Sequence, residues 1–157
     1  MSLHRFEARQ IVPIRLDEAR DFFSDPRNLA VITPPEMACE VISPLPERIH
    51  PGLVISHRVR PIFGIPVTWV TEITHVIESK LFVDEQRFGP YRFWHHQHHF
   101  RSVDDGIEIG DIVHYALPFG PLGDVLNSLL VHDRVRSIFH YRRVVLEERF
   151  GSTGQLP

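Results

Sequence analysis

The side chains able to do chemistry crowd into one stretch of the chain. Five of the 11 histidines fall between His95 and His114. Asp84 and Gln86 precede them, Asp111 and Tyr115 lie beside His114, and Arg142 stands apart near the C-terminus. A histidine next to a carboxylate is a base near neutral pH, and Tyr115 or a protonated histidine is an acid for a carbonyl or hydroxyl. His96, His98, Asp84 and Asp111 are therefore the candidate catalytic residues. On a strand, His96-x-His98 puts two imidazoles on one face about 7 Å apart, a spacing some metal sites use, with Asp84 or Asp111 as a third ligand. No further ligand motif accompanies the pair, so no metal and no cofactor is expected. The nucleophile elbow Gly-x-Ser-x-Gly, the phosphate loop and the dinucleotide fingerprint are missing. Cys39 is the single cysteine, which rules out an internal disulfide and a four-thiolate zinc site. Its apolar flanks suit a small buried residue.

Strand alternation decides which of these residues share a face. In 92–101 one face carries Trp94, His96, His98 and Phe100, bracketed by bulky apolar residues and so placed inward. The same test turns Phe82, Asp84, Gln86 and Phe88 inward in 81–88, and Ile107, Ile109, Asp111, Val113, Tyr115 and Leu117 inward in 107–117. Short turns make these three strands neighbours, so Asp84, Gln86, His96, His98, Asp111 and Tyr115 share one wall. Each costs about 1–3 kcal/mol if buried without a partner. Two readings stay open: a satisfied structural network, or the polar end of a pocket that orients a mostly apolar ligand. Arg142 falls inside an apolar helical stripe and wants a carboxylate, from Asp111, Asp84 or a ligand; a structural salt bridge is the favoured role. Trp69 and Ile73 share a strand face toward the same space, and His57 is a candidate to join them.

The elements that must hold these residues follow from period and punctuation. Residues 3–12 form a first strand. Asp17 caps a short helix over 18–23, and a second covers 27–32, ended by Thr33-Pro34-Pro35. Strands follow at 38–42, 53–60, 67–78, 81–88, 91–103 and 106–117, joined by turns short enough for antiparallel pairing. From Gly123 to Phe150 neither proline nor a second glycine interrupts the chain. There Leu126, Leu129, Leu130, Val135, Ile138, Phe139, Val145 and Leu146 recur at helical spacing, a helix of about 25 residues and about 40 Å. Its stripe needs a curved sheet as partner, with Gly120-Pro121-Leu122-Gly123 as the hinge that seats it.

A chain of 157 residues suits a single domain, here 1–150 with a flexible tail at 151–157. A net charge of −3 gives no electrostatic reason to expect nucleic acid or an anionic membrane. No apolar run nears the roughly 18 residues of a membrane span, and the first residues lack a signal-peptide core, so a cytoplasmic protein is expected.

The order of strand, two short helices, six strands and a long helix resembles the helix-grip fold of the START-like, or SRPBCC, superfamily. A narrower resemblance lies in Phe82-Val-Asp-Glu-Gln-Arg-Phe-Gly-Pro-Tyr-Arg-Phe-Trp-His-His-Gln-His-His-Phe100, in Asp111-Ile-Val-His-Tyr-Ala-Leu-Pro-Phe-Gly-Pro-Leu-Gly123 and in Ile138-Phe-His-Tyr-Arg142. These are similar to bacterial ligand-binding SRPBCC proteins of the polyketide cyclase/dehydrase-like kind. The resemblance implies an α+β domain whose curved antiparallel sheet wraps around the C-terminal helix, with a cavity for a hydrophobic or amphipathic molecule: a lipid, a polyketide or an aromatic metabolite. It also implies that Thr33-Pro34-Pro35 belongs to the cavity mouth. The expected ligand-binding residues are Trp69, Gln86, Trp94, His96, His98, Phe100, Tyr115 and Arg142. The alternatives are a cyclase or dehydratase working through His96, His98 and a carboxylate, and a protein whose cavity is filled by its own side chains.

Overall fold

The structure, a computed structural model, describes residues 2–61 and 64–154. Strand alternation holds over long runs and builds the sheet. Strand β1 (His4–Val12) is followed across the first half of the chain by β2 (Glu40–Val41), β3 (Leu53–Val59) and β4 (Val67–Ile77). Strands β5 (Leu81–Phe88), β6 (Phe93–Val103) and β7 (Gly106–Ala116) complete it. The order is β1-β7-β6-β5-β4-β3-β2, with every pair antiparallel. In β7 every second residue from Ile107 to Tyr115 is buried. The register opposes Asp84 to His96, Phe82 to His98, and His98 to Asp111. That register alone brings four of the polar residues onto one patch of the concave face.

Helix α1 (Leu16–Ser24) crosses one end of the sheet and buries Ala19, Phe22 and Phe23. It starts before Asp17, because the Glu18 carboxylate accepts from the Arg15 amide and closes the first turn from Arg15. The second short helix over 27–32 is reduced to a 3-10 turn, Pro26–Leu29, and another such turn follows at Pro35–Met37. Pro34 disfavours helical backbone at Thr33 and so bounds the segment that opens at Pro26. The strand over 38–42 shrinks to the two residues of β2, at the sheet edge.

The C-terminal helix begins at Pro121. It comprises α2 (Pro121–Leu126), a π-turn (Asn127–Val131) and α3 (His132–Phe150). Its buried seam runs Gly123, Asn127, Val131, Val135, Phe139, Arg142 and Leu146. Four-residue steps drift round an α-helix of 3.6 residues per turn, and the wider π-turn absorbs the drift. Leu126, Leu129 and Leu130, expected in the buried stripe, are therefore turned outward at 37%, 66% and 43% exposure. Gly123 seats the helix: a Cβ there would lie 2.2 Å from the Pro118 carbonyl oxygen. Among the described residues no helix is long and apolar enough to cross a membrane.

Candidate functional site

A cavity of about 200 Å³ lies between the concave face and the two helical flanks. Phe22 and Phe23 come from α1, and Ile32, Met37 and Cys39 from the connection behind it. Ile55 and Val59 come from β3, Trp69 and Ile73 from β4, and Ile138 and Phe139 from α3. The ring centroids of Trp69 and Trp94 are 5.2 Å apart, and Tyr91 packs on both. Against this apolar wall stand His57, Asp84, His96, His98 and Arg142.

The polar pole is a closed cluster. The His96 Nε2–H donates to Asp111 Oδ1 at 2.9 Å, and the His98 Nε2–H donates to Asp84 Oδ2 at 2.6 Å. Arg142 donates from Nη1 to the same Asp111 oxygen at 2.9 Å. The remaining ring nitrogens face carboxylates too: His96 Nδ1 is 3.4 Å from Asp84 Oδ2, and His98 Nδ1 is 3.3 Å from Asp111 Oδ1. The second of these lies buried without a hydrogen bond to any described residue. The two imidazole centroids are only 3.7 Å apart, and Phe82 stacks on the outer side of His98 at 3.9 Å.

Burial pushes the Asp111 carboxyl up, but Arg142 and the two imidazoles outweigh it and hold it well below the usual carboxylate range. For Asp84 the balance is the same, with burial overcome by His96, His98 and Arg142. Burial lowers His96, and the neighbouring His98 lowers it further. Burial also lowers His57, whose Nε2 has no hydrogen-bond partner among the described residues. The Cys39 thiol is pushed up to about 11 by burial, which makes it a poor nucleophile. Arg142 sits between the rings of Phe23 and Phe139, at 5.3 and 5.9 Å, and its Nε and Nη2 have no hydrogen-bond partner among the described residues.

The residues singled out in the sequence divide into two groups. Trp69, Asp84, Trp94, His96, His98 and Arg142 line the cavity, and Asp111 backs the imidazoles without lining it. Gln86, Phe100 and Tyr115 do not line it. Gln86 clamps the turn before β6 by donating to the Tyr91 carbonyl at 2.6 Å and accepting from the Tyr91 amide at 3.2 Å. Phe100 packs against Phe23 and Phe82. Tyr115 is fully buried, and its hydroxyl donates to Asn127 Oδ1 at 2.9 Å, which ties β7 to the π-turn. Inward alternation is shared by all three; sheet curvature and helix placement decide which inward side chains reach the space. Phe22, Phe23, Phe139 and Arg134 escaped the sequence reading as cavity residues. The paired phenylalanines ending α1 carried an apolar signal, but no pattern says what they face.

No protein-family model and no curated protein sequence matches this chain. Solved structures do. The crystal structure of TTHA0849 from Thermus thermophilus superposes with a TM-score of 0.69 at 16% identity, over 97% of this chain and 100% of that one. Major latex-like protein 151 from Panax ginseng gives 0.68 at 14% identity, over 99% of each chain. The di-domain aromatase/cyclase StfQ of the steffimycin biosynthetic pathway gives 0.64 at 13% identity, over 95% of this chain and 52% of that one. At such identities the likeness speaks for architecture. Seven antiparallel strands curved around a long C-terminal helix, with a cavity between them, give this chain the helix-grip fold that it shares with these structures.

Proposed function

We propose that this protein binds a compact, mostly aromatic small molecule in the cavity. The molecule's apolar body lies against Trp69 and Trp94, and an acceptor group points at Arg142 and the histidine pole. The observation that carries this reading is the combination of an apolar cavity with buried donors at its edge that find no partner among the described residues: Arg142 Nε and Nη2. Unmet buried donors are costly, and a carbonyl, phenol or carboxylate on a ligand relieves them. Size narrows the ligand class. A dry protein cavity of about 150 Å³ accepts benzene, so about 200 Å³ suits one or two rings and is too small for a long acyl chain. The lipid reading recedes accordingly, and so does a cavity filled by its own side chains.

Both tryptophans of the chain line the cavity, so intrinsic fluorescence reports its occupancy. Naphthol and naphthoate are expected to quench it saturably, and oleate is not. Arg142→Met should weaken naphthoate more than naphthol. Equal, unsaturable quenching by all three would count against the cavity as the binding site.

The second reading, acid–base turnover, rests on the His98–Asp84 contact at 2.6 Å at the cavity wall. A carboxylate orients and stabilises an imidazolium, the arrangement a cyclase-type proton transfer needs. Once a substrate is in hand, His96→Ala and His98→Ala should abolish turnover while binding persists. Turnover surviving in both variants would leave a binding protein only.

A further inference from the structure

The histidine pole is short of positive charge in a way that hydrogen bonding does not repair. Four ring nitrogens face two carboxylates: His96 Nε2 and His98 Nδ1 toward Asp111, His96 Nδ1 and His98 Nε2 toward Asp84. Two neutral imidazoles carry only two N–H groups. The two short contacts use both, which leaves lone pairs on both Nδ1 atoms aimed at carboxylate oxygens. With Asp84 and Asp111 ionised and Arg142 the one guanidinium in contact among the described residues, the neutral-histidine cluster carries a net −1 in an apolar cavity. One proton would cancel that charge but still leave a ring nitrogen lone pair aimed at a carboxylate, and filling it too would set two imidazoliums against each other at a centroid distance of 3.7 Å.

We infer that Asp84, His96 and His98 bind one divalent first-row transition metal ion of the zinc or ferrous type, with Asp111 behind both imidazoles. His96 Nδ1 and His98 Nε2 both face the same Asp84 oxygen, at 3.4 and 2.6 Å, and one donor atom from each of the three residues lies within 4.8 Å of the others. Ligands held at 2.0–2.1 Å in a tetrahedral site lie about 3.3 Å apart. The 3.4 Å between His96 Nδ1 and Asp84 already matches, and the 2.6 Å contact of His98 opens by about 0.7 Å. The metal takes the nitrogens that face Asp84. Each distal nitrogen then carries the proton and donates to Asp111, which gives His98 Nδ1 the partner it lacks. A carboxylate behind a metal-bound histidine fixes the tautomer and ring orientation, and Arg142 anchors this one. Two imidazoles and one carboxylate leave coordination positions open on the cavity side, where a ligand oxygen would meet a Lewis acid. From the sequence no metal is expected, because no further ligand motif accompanies the histidine pair. The fold supplies what a motif would have signalled: the two rings lean together and Asp84 meets both.

The untagged full chain, stripped with a chelator, is titrated with Co2+ and followed by visible absorption. The expected result is one Co2+ per chain with d–d bands. The bands vanish in His98→Gln and in Asp84→Asn, and the affinity drops about 10- to 100-fold in Asp111→Asn. His95→Ala and His99→Ala, on the opposite face of β6, leave them unchanged. Each variant is first shown to melt cooperatively; if one ligand variant does not fold, the other carries the comparison together with Asp111→Asn. No d–d bands in the parent would overturn the site and leave an imidazolium as the counter-charge. Bands that persist in the folded ligand variants would overturn it too, as adventitious surface binding. Naphthol quenching is measured in parallel in chelator, so quenching without bands counts against the metal alone and not against the cavity.

Discussion

At the scale of single residues, Asp111 holds the site together. It receives Arg142 and His96 while nearly fully buried, so its removal strands a buried guanidinium. Asp111→Ala is expected to cost about 3–5 kcal/mol in urea denaturation. Asp111→Leu combined with Arg142→Leu should cost less than Asp111→Ala, because no unpaired charge remains. The pH dependence follows from groups whose protonated forms the fold disfavours. Burial lowers His57 and His96, so below about pH 6.5 the unfolded chain takes up protons that the folded chain refuses. Asp84 and Asp111 are held below 3.8, and they act in the same direction once the pH falls past that value. Melting temperature should therefore be flat above pH 7 and fall steadily below about 6.5. His57→Gln should shrink the fall between pH 7 and 5 in calorimetry.

At the scale of elements, the C-terminal helix is aligned by polar and glycine contacts at its front and by apolar packing behind. Tyr115→Phe leaves the buried Asn127 Oδ1 without its donor and should cost about 1–3 kcal/mol. Because Tyr115 does not line the cavity, ligand affinity should stay within about twofold. A larger loss of binding would mean that the π-turn sets the cavity's shape. Gly123→Ala forces a Cβ onto the Pro118 carbonyl and should lower stability by about 1–3 kcal/mol through displacement of α2. The apolar residues turned outward by the π-turn would be the first to report such a shift by hydrogen exchange.

At the scale of the whole molecule, ligand binding and stability are linked. A ligand present at 100 times its Kd adds about 2.7 kcal/mol, which for a domain of this size raises the melting temperature by about 5–10 °C. A screen of one- and two-ring aromatics by thermal shift should show such rises, and Trp94→Ala should abolish them without abolishing cooperative unfolding. The fold supports this because its cavity lies between layers: the Phe22 and Phe23 cluster, the Val113–Phe139 cluster and the Ile55–Ile73 cluster surround it without filling it.

Most of the inward-facing residues were legible from the sequence; Phe88, placed inward by alternation, is 66% exposed because a register shift between Gln86 and Phe88 turns it to the other face. Period-two alternation has no tolerance for a one-residue slip, so His96, His98, Asp84 and Asp111 could be placed on one wall, and the helical period put Arg142 opposite them. The order of elements was legible for the same reason, except where prolines shortened the second helix and where β2 was too brief to leave a period. Only the tertiary structure decided which inward residues meet empty space and which meet other side chains. Gln86, Phe100 and Tyr115 share the inward face, yet each is spent on a turn, a core contact or a helix strut. The lean of the two imidazoles toward each other, and the π-turn that swings Leu126, Leu129 and Leu130 outward, were likewise undecided by pattern. Sheet curvature and helix seating arise from packing across many residues, whereas alternation is a property of each strand alone.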